Sequence, residues 1–318
     1  MTENHQPLAL STMYFQRWPD STDLRPFFAL GREIGFEAFE LSHILSAEAV
    51  AAIDPREVRI ASVHHPCPVA ANFDPQARLT SSDAAARARA ADDLRCSIDT
   101  AAALGARAVV VHLGYVEDDD DRTLGRLRFE LSSRHAAGLR GLPAYEDARR
   151  RLVDLVVAAE PAHLERALVS LPSVLAYAAD RDIALGLETG YHAHDLPTPA
   201  GFRILLDTLS EQGCGAWLDT GHVGTRTNLG VVSDGDWYEA VAGRWIGAHL
   251  HDVVGQRDHL APGSGNVEFA AVAAHLPPDA LLTVEVDYYF SPEELAAGAA
   301  RLTAAGLGRL AADAPRPR

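Results

Sequence analysis

Short apolar runs and longer stretches with helical spacing alternate along the whole chain. The runs fall at 8–15, 36–41 (FEAFEL), 59–64 (RIASVH), 108–112 (AVVVH), 184–188 (ALGLE), 215–219 (GAWLD), 246–251 and 281–286 (LLTVEV). Runs of this length, some alternating and some continuously apolar, predict strands, the continuous ones buried on both faces. Between them the spacing predicts helices over 24–30, 47–53, 82–104, 143–179, 198–209, 236–242, 267–276 and 292–310. Ser82 is placed to cap the alanine-rich third helix, and Gly105 sits just past its end. Pro161 and Pro172 are expected to break the helical stretch that opens at Pro143, because proline starts a helix more readily than it continues one.

Eight strands alternating with helices, without a linker or a shift in composition, predict an α/β fold: one (β/α)₈ TIM barrel spanning 1–318. A doubly wound open sheet is disfavoured, since no glycine-rich turn follows the first strand. One stretch departs from the pattern. Residues 117–142, after the fourth strand, begin with Asp118 to Asp121 and continue with scattered arginines. They read as an insertion, either a solvated excursion or a lid leaving from the same strand end as His112. The tail 313–318 is expected to be disordered.

Composition narrows the chemistry. The net charge of −16 disfavours a nucleic-acid partner, because such binding is driven by cationic side chains. All 28 basic residues are arginine. The lack of lysine excludes Schiff-base aldolases, pyridoxal phosphate enzymes and phosphate loops of the GKS/T type. No run of about eighteen apolar residues suggests a membrane span. Three scattered cysteines and an N-terminus without a basic signal region suggest the cytoplasm.

The polar residues collect at strand ends. His64 ends the third strand, His112 the fourth, Glu188 the fifth, and Asp219 the sixth, with His222 three residues on; the seventh offers His249 and His251, then Arg257 and His259, and the eighth carries Glu285. In a parallel barrel these ends emerge on one rim and face a single pocket. Neutral imidazole and ionised carboxylate are ligands for divalent ions, so the rim is a candidate metal site. Tyr14 ends the first strand and Tyr115 follows the fourth, where aromatic rings can stack on a ligand or simply pack.

The segments VHHP, GARAVVVHLG, LGLETG, WLDTGH, HLHD with PGSG, and TVEV resemble, in that order, the xylose isomerase-like barrel superfamily. That group holds sugar and sugar-phosphate isomerases and epimerases and the apurinic-site nucleases of the endonuclease IV type. Its epimerase-like members imply one divalent ion held by Glu188, Asp219, His251 and Glu285, with His222 and Arg257 facing the substrate. Its nuclease-like members imply further metals, for which His64, His112, His222 and His259 are retained; Arg257 stands where those enzymes place an additional aspartate. Xylose isomerase itself uses a lysine, which this chain lacks.

The leading expectation is therefore a metal-dependent isomerase or epimerase of a sugar, sugar phosphate or related polyol. Glu188 and Glu285 would move a proton through an enediolate. A hydrolase of phosphodiesters with two or three ions is the alternative, and a non-catalytic metal- or sugar-binding barrel is a third. Zinc or manganese is expected ahead of cobalt or magnesium, given the many imidazoles. The expected partner is a small carbohydrate-like molecule; a homo-oligomer stays open.

Overall fold

The computed structural model describes residues 4–18, 21–117 and 122–311, so the acidic run Asp118 to Asp121 and the tail 313–318 lie outside the described residues. Eight parallel strands close into a barrel: β1 (Ala9–Ser11), β2 (Ala38–Leu41), β3 (Ile60–His64), β4 (Ala108–Val111), β5 (Ala184–Glu188), β6 (Cys214–Asp219), β7 (Trp245–Leu250) and β8 (Leu281–Val284). Each pairs with its neighbours in sequence, and β8 closes on β1 through Thr283 beside Ala9. The expected (β/α)₈ fold is the observed one.

The helices are α1 (Arg25–Ile34), α2 (Ala47–Ala51), α3 (Ala84–Ala103), α4 (Thr123–Ala136), α5 (Pro143–Ala179), α6 (Pro199–Leu209), α7 (Thr220–Leu229), α8 (Asp234–Val241), α9 (Phe269–His275) and α10 (Pro292–Ala304). Oxygen atoms of Ser46, Asp83, Thr198, Asp219, Ser233 and Ser291 accept the first free N–H groups of their helices, which is why those helices start where they do. Among the described residues, no helix is long and apolar enough to cross a membrane.

Several boundaries differ from expectation for identifiable reasons. β1 ends at Ser11, and Tyr14 and Phe15 belong to a 3₁₀ turn over Thr12–Arg17 capped by the Ser11 hydroxyl. The first helix runs on through Gly31 to Gly35, whose left-handed backbone (φ 110°) ends it. Asp83, not Ser82, caps α3. α7 and a hairpin pairing Asp252–Val254 with Arg257–Leu260 fill stretches to which the pattern assigns no element. The last helix stops at Ala304, after which Leu307–Arg309 pairs with Asn4–Pro7.

The largest difference is α5, which runs unbroken through Pro161 and Pro172. Each proline removes one backbone hydrogen bond, a cost of about 3 kcal/mol in an isolated helix. Burial offsets it: Leu164, Ala167, Leu171, Val174 and Leu175 face the main core, and Tyr145, Leu152 and Val156 face a second apolar cluster. That second cluster explains the insertion. Leu124, Leu127 and Leu131 of α4 pack there against the first half of α5, and the Ser132 hydroxyl donates to Gln256 Oε1 in the hairpin (2.9 Å). Residues 123–136 are thus a docked helix rather than a solvated excursion.

The barrel interior changes character along its axis. Ala9, Ala38, Ala108 and Leu281, the first residues of β1, β2, β4 and β8, surround the fully buried indole of Trp217. The ring fits only because its neighbours are small: a β-carbon on Gly247 would fall on Trp217. Further along lie buried Ser11, Glu40, Ser62, Glu188, His249 and Thr283. Trp217 is the floor beneath them, its ring 5.4 Å from that of His249. Gly247→Ala is expected to lower stability by about 1–3 kcal/mol through overpacking, measured as the urea midpoint; an unchanged midpoint would contradict the floor's tight fit.

Candidate functional site

Strand alternation places His249 and His251 on the same face of β7 and its continuation, His249 deep in the barrel and His251 one step toward the rim. Asp219 ends β6 and also caps α7: its Oδ1 accepts the His222 N–H at 2.7 Å. This double role explains the DTGH spacing, since a cap residue bonds the N–H three positions on. Thr220 donates its hydroxyl to the His251 carbonyl (2.7 Å), and Gly221 has no side chain because one would strike the His251 ring. The aspartate of HLHD is structural. The Asp252 carboxylate accepts from the backbone N–H groups of Val253, Gly263 and Val267 at 2.8–3.0 Å, folding the PGSG segment back onto the strand.

Four ligand atoms, one each from Glu188, Asp219, His249 and Glu285, lie within 4.8 Å of one another, all on buried residues. His249 Nδ1 is 2.8 Å from Glu188, 3.3 Å from Glu285 and 3.6 Å from Asp219. Its other nitrogen, Nε2, lies 2.9 Å from Glu40 Oε1, and Glu40 is in turn held by the hydroxyls of Ser62 (2.6 Å) and Thr283 (3.2 Å). A carboxylate behind an imidazole fixes its tautomer and turns the other nitrogen toward a metal. The Glu285 Oε1 accepts from the Ser11 hydroxyl at 3.3 Å.

The expected quartet had His251 as its imidazole; the structure brings His249 among the three carboxylates and gathers His251 with His259 and Glu285 in another group of closely spaced ligand atoms. His251 stands beside them, Nε2 2.9 Å from Asp219 and its ring stacked on His259 at 4.4 Å. Its Nδ1 accepts the backbone N–H of His259 (2.8 Å), which leaves the proton on Nε2 and spends that nitrogen as a donor to Asp219. In His249 both nitrogens also meet partners, Nε2 at Glu40 and Nδ1 at Glu188 Oε1 (2.8 Å), and it is Nδ1 that faces the centre.

The electrostatics follow from burial opposed by close charge. Burial would raise the Glu188 carboxyl, but His112, His249 and His64 outweigh it and hold it well below the usual carboxylate range. Burial likewise opposes ionisation of Asp219 and Glu285; His222 and His251 overcome it for Asp219, His249 and His259 for Glu285, and both are lowered. On the histidine side, burial disfavours charge on His249, yet Glu285, Glu40 and Glu188 raise it well above the normal imidazole value. For His64 burial is again outweighed, by Glu188, and the value rises to about 9.

The remaining expected residues divide into two sets. His64 and His112 both place Nε2 3.1 Å from Glu188 Oε2. Burial lowers His112, yet 45% of its side-chain surface stays open because it walls a cavity. His222 gives its Nδ1 to the Thr189 carbonyl (2.9 Å) and turns Nε2 toward Asp258 (3.7 Å), whose other oxygen is 3.2 Å from His259. His222, Asp258 and His259 form a second group of closely spaced ligand atoms.

The other set does not converge. Tyr14 is fully buried, and its hydroxyl donates to the Phe290 carbonyl at 2.7 Å, so it is not a pocket wall. Arg257 is exposed and donates to the Tyr289 hydroxyl (3.1 Å). Tyr115 does line the cavity beside His112, with its hydroxyl donating to Gln76 (2.9 Å). Two residues went unnoticed in the sequence, Glu40 inside β2 and His43 beyond it, whose ring lies 5.7 Å from that of His64 and whose pKa burial lowers to about 4; Asp258, next to the arginine, was given no role of its own. The alternation in FEAFEL marked Glu40 as lying on the opposite face from Phe39, but not that this face is the barrel interior.

The donor set suits a divalent cation. Three carboxylates brought into a buried space repel unless a positive charge joins them, and three oxygens with one imidazole match a hard or borderline ion. The Asp258 Oδ2 in the second group is buried with no hydrogen-bond partner.

Comparison with known proteins agrees with this architecture. No curated protein matches the chain. A solved structure of L-ribulose 3-epimerase superposes with a TM-score of 0.64 at 18% identity, covering 95% of this chain and 94% of that one. A D-tagatose 3-epimerase-like protein gives 0.63 at 18% identity over 94% and 97%, and 3-keto-D-glucoside 4-epimerase from E. coli gives 0.59 at 17% over 94% and 99%. At such identities the likeness is one of fold. The family model described as xylose isomerase-like TIM barrel matches residues 28–305, and the chain therefore belongs to that family.

Proposed function

We propose that this protein is a divalent-metal-dependent isomerase or epimerase that moves a proton beside the carbonyl of a sugar, sugar phosphate or related polyol. The observation that carries the reading is the placement of two glutamates, Glu188 and Glu285, around one buried centre shared with Asp219 and His249. The names of the resembling structures, sugar 3- and 4-epimerases, support it.

Glu188, Asp219, His249 and Glu285 would hold the ion, with Glu40 orienting His249 from behind. When bound, such an ion polarises a carbonyl and its neighbouring hydroxyl and makes the intervening C–H more acidic. Glu188 and Glu285 come from strands on different sides of the barrel mouth and are both held ionised, so one can take the proton while the other, after taking a proton from solvent, returns that proton to the opposite face and the first then releases its own to solvent. His64 and His112 hold Glu188 from the side away from His249.

A second reading has one observation in its favour. Asp258, His222 and His259 form an additional cation-suited group, and His64 and His112 flank Glu188, so two or three ions and hydrolysis of a phosphodiester remain the alternative. Metal content separates the two, one ion per chain for proton transfer and more for hydrolysis.

Incubation of the metal-loaded protein with ketohexoses in deuterated water is expected to wash deuterium into the carbon beside the carbonyl. Glu285→Gln is expected to slow this about 10²–10⁴-fold with the fold intact by circular dichroism; full exchange in that variant contradicts the two-base arrangement. Glu40→Gln is expected to weaken ion affinity about 10–100-fold, measured by competition with a chelating dye, and unchanged affinity would remove Glu40 from its orienting role.

A further inference from the structure

A cavity of about 380 Å³ opens beside the centre at His112 and His222 and extends toward α3, between the 65–79 segment and residues 191–196. Since His112 also lies 3.1 Å from Glu188, the cavity and the carboxylates share that imidazole. Beyond it the walls are carbon: Phe73, Pro75, Leu79, Ala90, Leu94 and Leu196. The lining also includes the polar residues His65, Arg78, Tyr191, His192 and Asp195, several of them engaged with other groups. The Ser97 hydroxyl and His65 Nδ1 are bonded at 3.0 Å, and Arg78 lies over the Tyr115 ring at 3.9 Å while donating to the Tyr115 hydroxyl (2.8 Å) and to Glu117 (2.7 Å).

A bare sugar does not suit the carbon-walled part of this space. Hydroxyls pressed against Leu79, Leu94 and Leu196 would give up water and gain no partner. A flat apolar ring would displace water from carbon surface on both faces, with Phe73 and Tyr115 as aromatic neighbours. Size agrees as well, since a cavity of about 150 Å³ already accepts benzene.

We propose that the substrate carries an aromatic substituent seated in this cavity, joined to the sugar-like part that meets Glu188 and Glu285, as in an aryl glycoside of a keto-sugar. The proposal rests on the proton-transfer reading only for which end of the molecule reacts. Specificity then comes from two separate places: carboxylates and imidazoles for the polyol, and the carbon walls for the ring.

The test is calorimetric titration of the metal-loaded protein with phenyl β-D-glucopyranoside and methyl β-D-glucopyranoside, both unreactive for want of a ketone. The phenyl compound is expected to bind at least ten-fold more tightly. Ala77→Trp, which fills the cavity from a partly buried wall position, and Phe73→Ala, which removes an aromatic wall, should each erase most of that preference at unchanged urea midpoint and ion affinity. Equal affinities, no binding of either included, or a preference that survives both variants, overturns the proposal. A phenyl preference without deuterium exchange into any ketose leaves the cavity assignment standing and removes the proton-transfer reading; exchange without the preference does the reverse.

Discussion

Carboxylates converging on one buried point dominate the physics of this molecule. Two like charges about 4.5 Å apart repel by roughly 4 kcal/mol at an effective dielectric of about 20, and here Glu188, Asp219 and Glu285 meet with Glu40 close behind. Such a group stays ionised only with positive charge among its members. In the protein alone the imidazoles provide it, with His249 at the middle and His64 and His259 at the edges, all three raised by the carboxylates they face. A divalent ion would supply the same charge more compactly, and that is the chemical reason to read the centre as a metal site.

The rest of the barrel can be understood as what keeps these groups from relaxing apart. Trp217 closes the barrel below His249, so the ring cannot sink. Ser62 and Thr283 fix Glu40, which fixes His249. On the rim, Asp252 ties down the loop that carries His259, and the Asp219 cap ties α7, and with it His222, to the end of β6. Thus DTGH and HLHD…PGSG each combine residues that face the centre with residues that set the backbone geometry around it. The second apolar cluster extends this outward: α4 is docked on the first half of α5 and bonded through Ser132 to the hairpin beside the site.

Much of this was legible in the sequence because a parallel barrel makes strand ends converge whatever their distance in the chain. Eight runs gave the strands, and Glu188, Asp219 and Glu285 are found together as the positions of their strands imply. What escaped had physical reasons. Periodicity shows that Glu40 lies on the opposite face from Phe39, but it cannot tell the barrel interior from solvent. That His249 sits deep among the carboxylates while His251 joins His259 and Glu285 nearer the rim depends on side-chain directions, information absent from an alternating HLH pattern. Asp258 enters through the hairpin turn rather than a strand end. Pro161 and Pro172 obey a local rule that the packing of α5 on two apolar clusters overrides, and the strand at Leu307–Arg309 is recognisable only with its partner at Asn4–Pro7. Tyr14 shows the converse: its place at the end of a predicted strand suggested a pocket, but it lies in the 3₁₀ turn, which directs its hydroxyl to the Phe290 carbonyl.

The central claim is that one cation belongs at the meeting point of Glu188, Asp219, His249 and Glu285. Anomalous diffraction from crystals of protein purified without chelators, recorded on both sides of the zinc and manganese absorption edges, tests it most directly. The account predicts a strong peak within bonding distance of all four side chains. A featureless map at that point, or a metal bound elsewhere on the rim and away from these carboxylates, would contradict it.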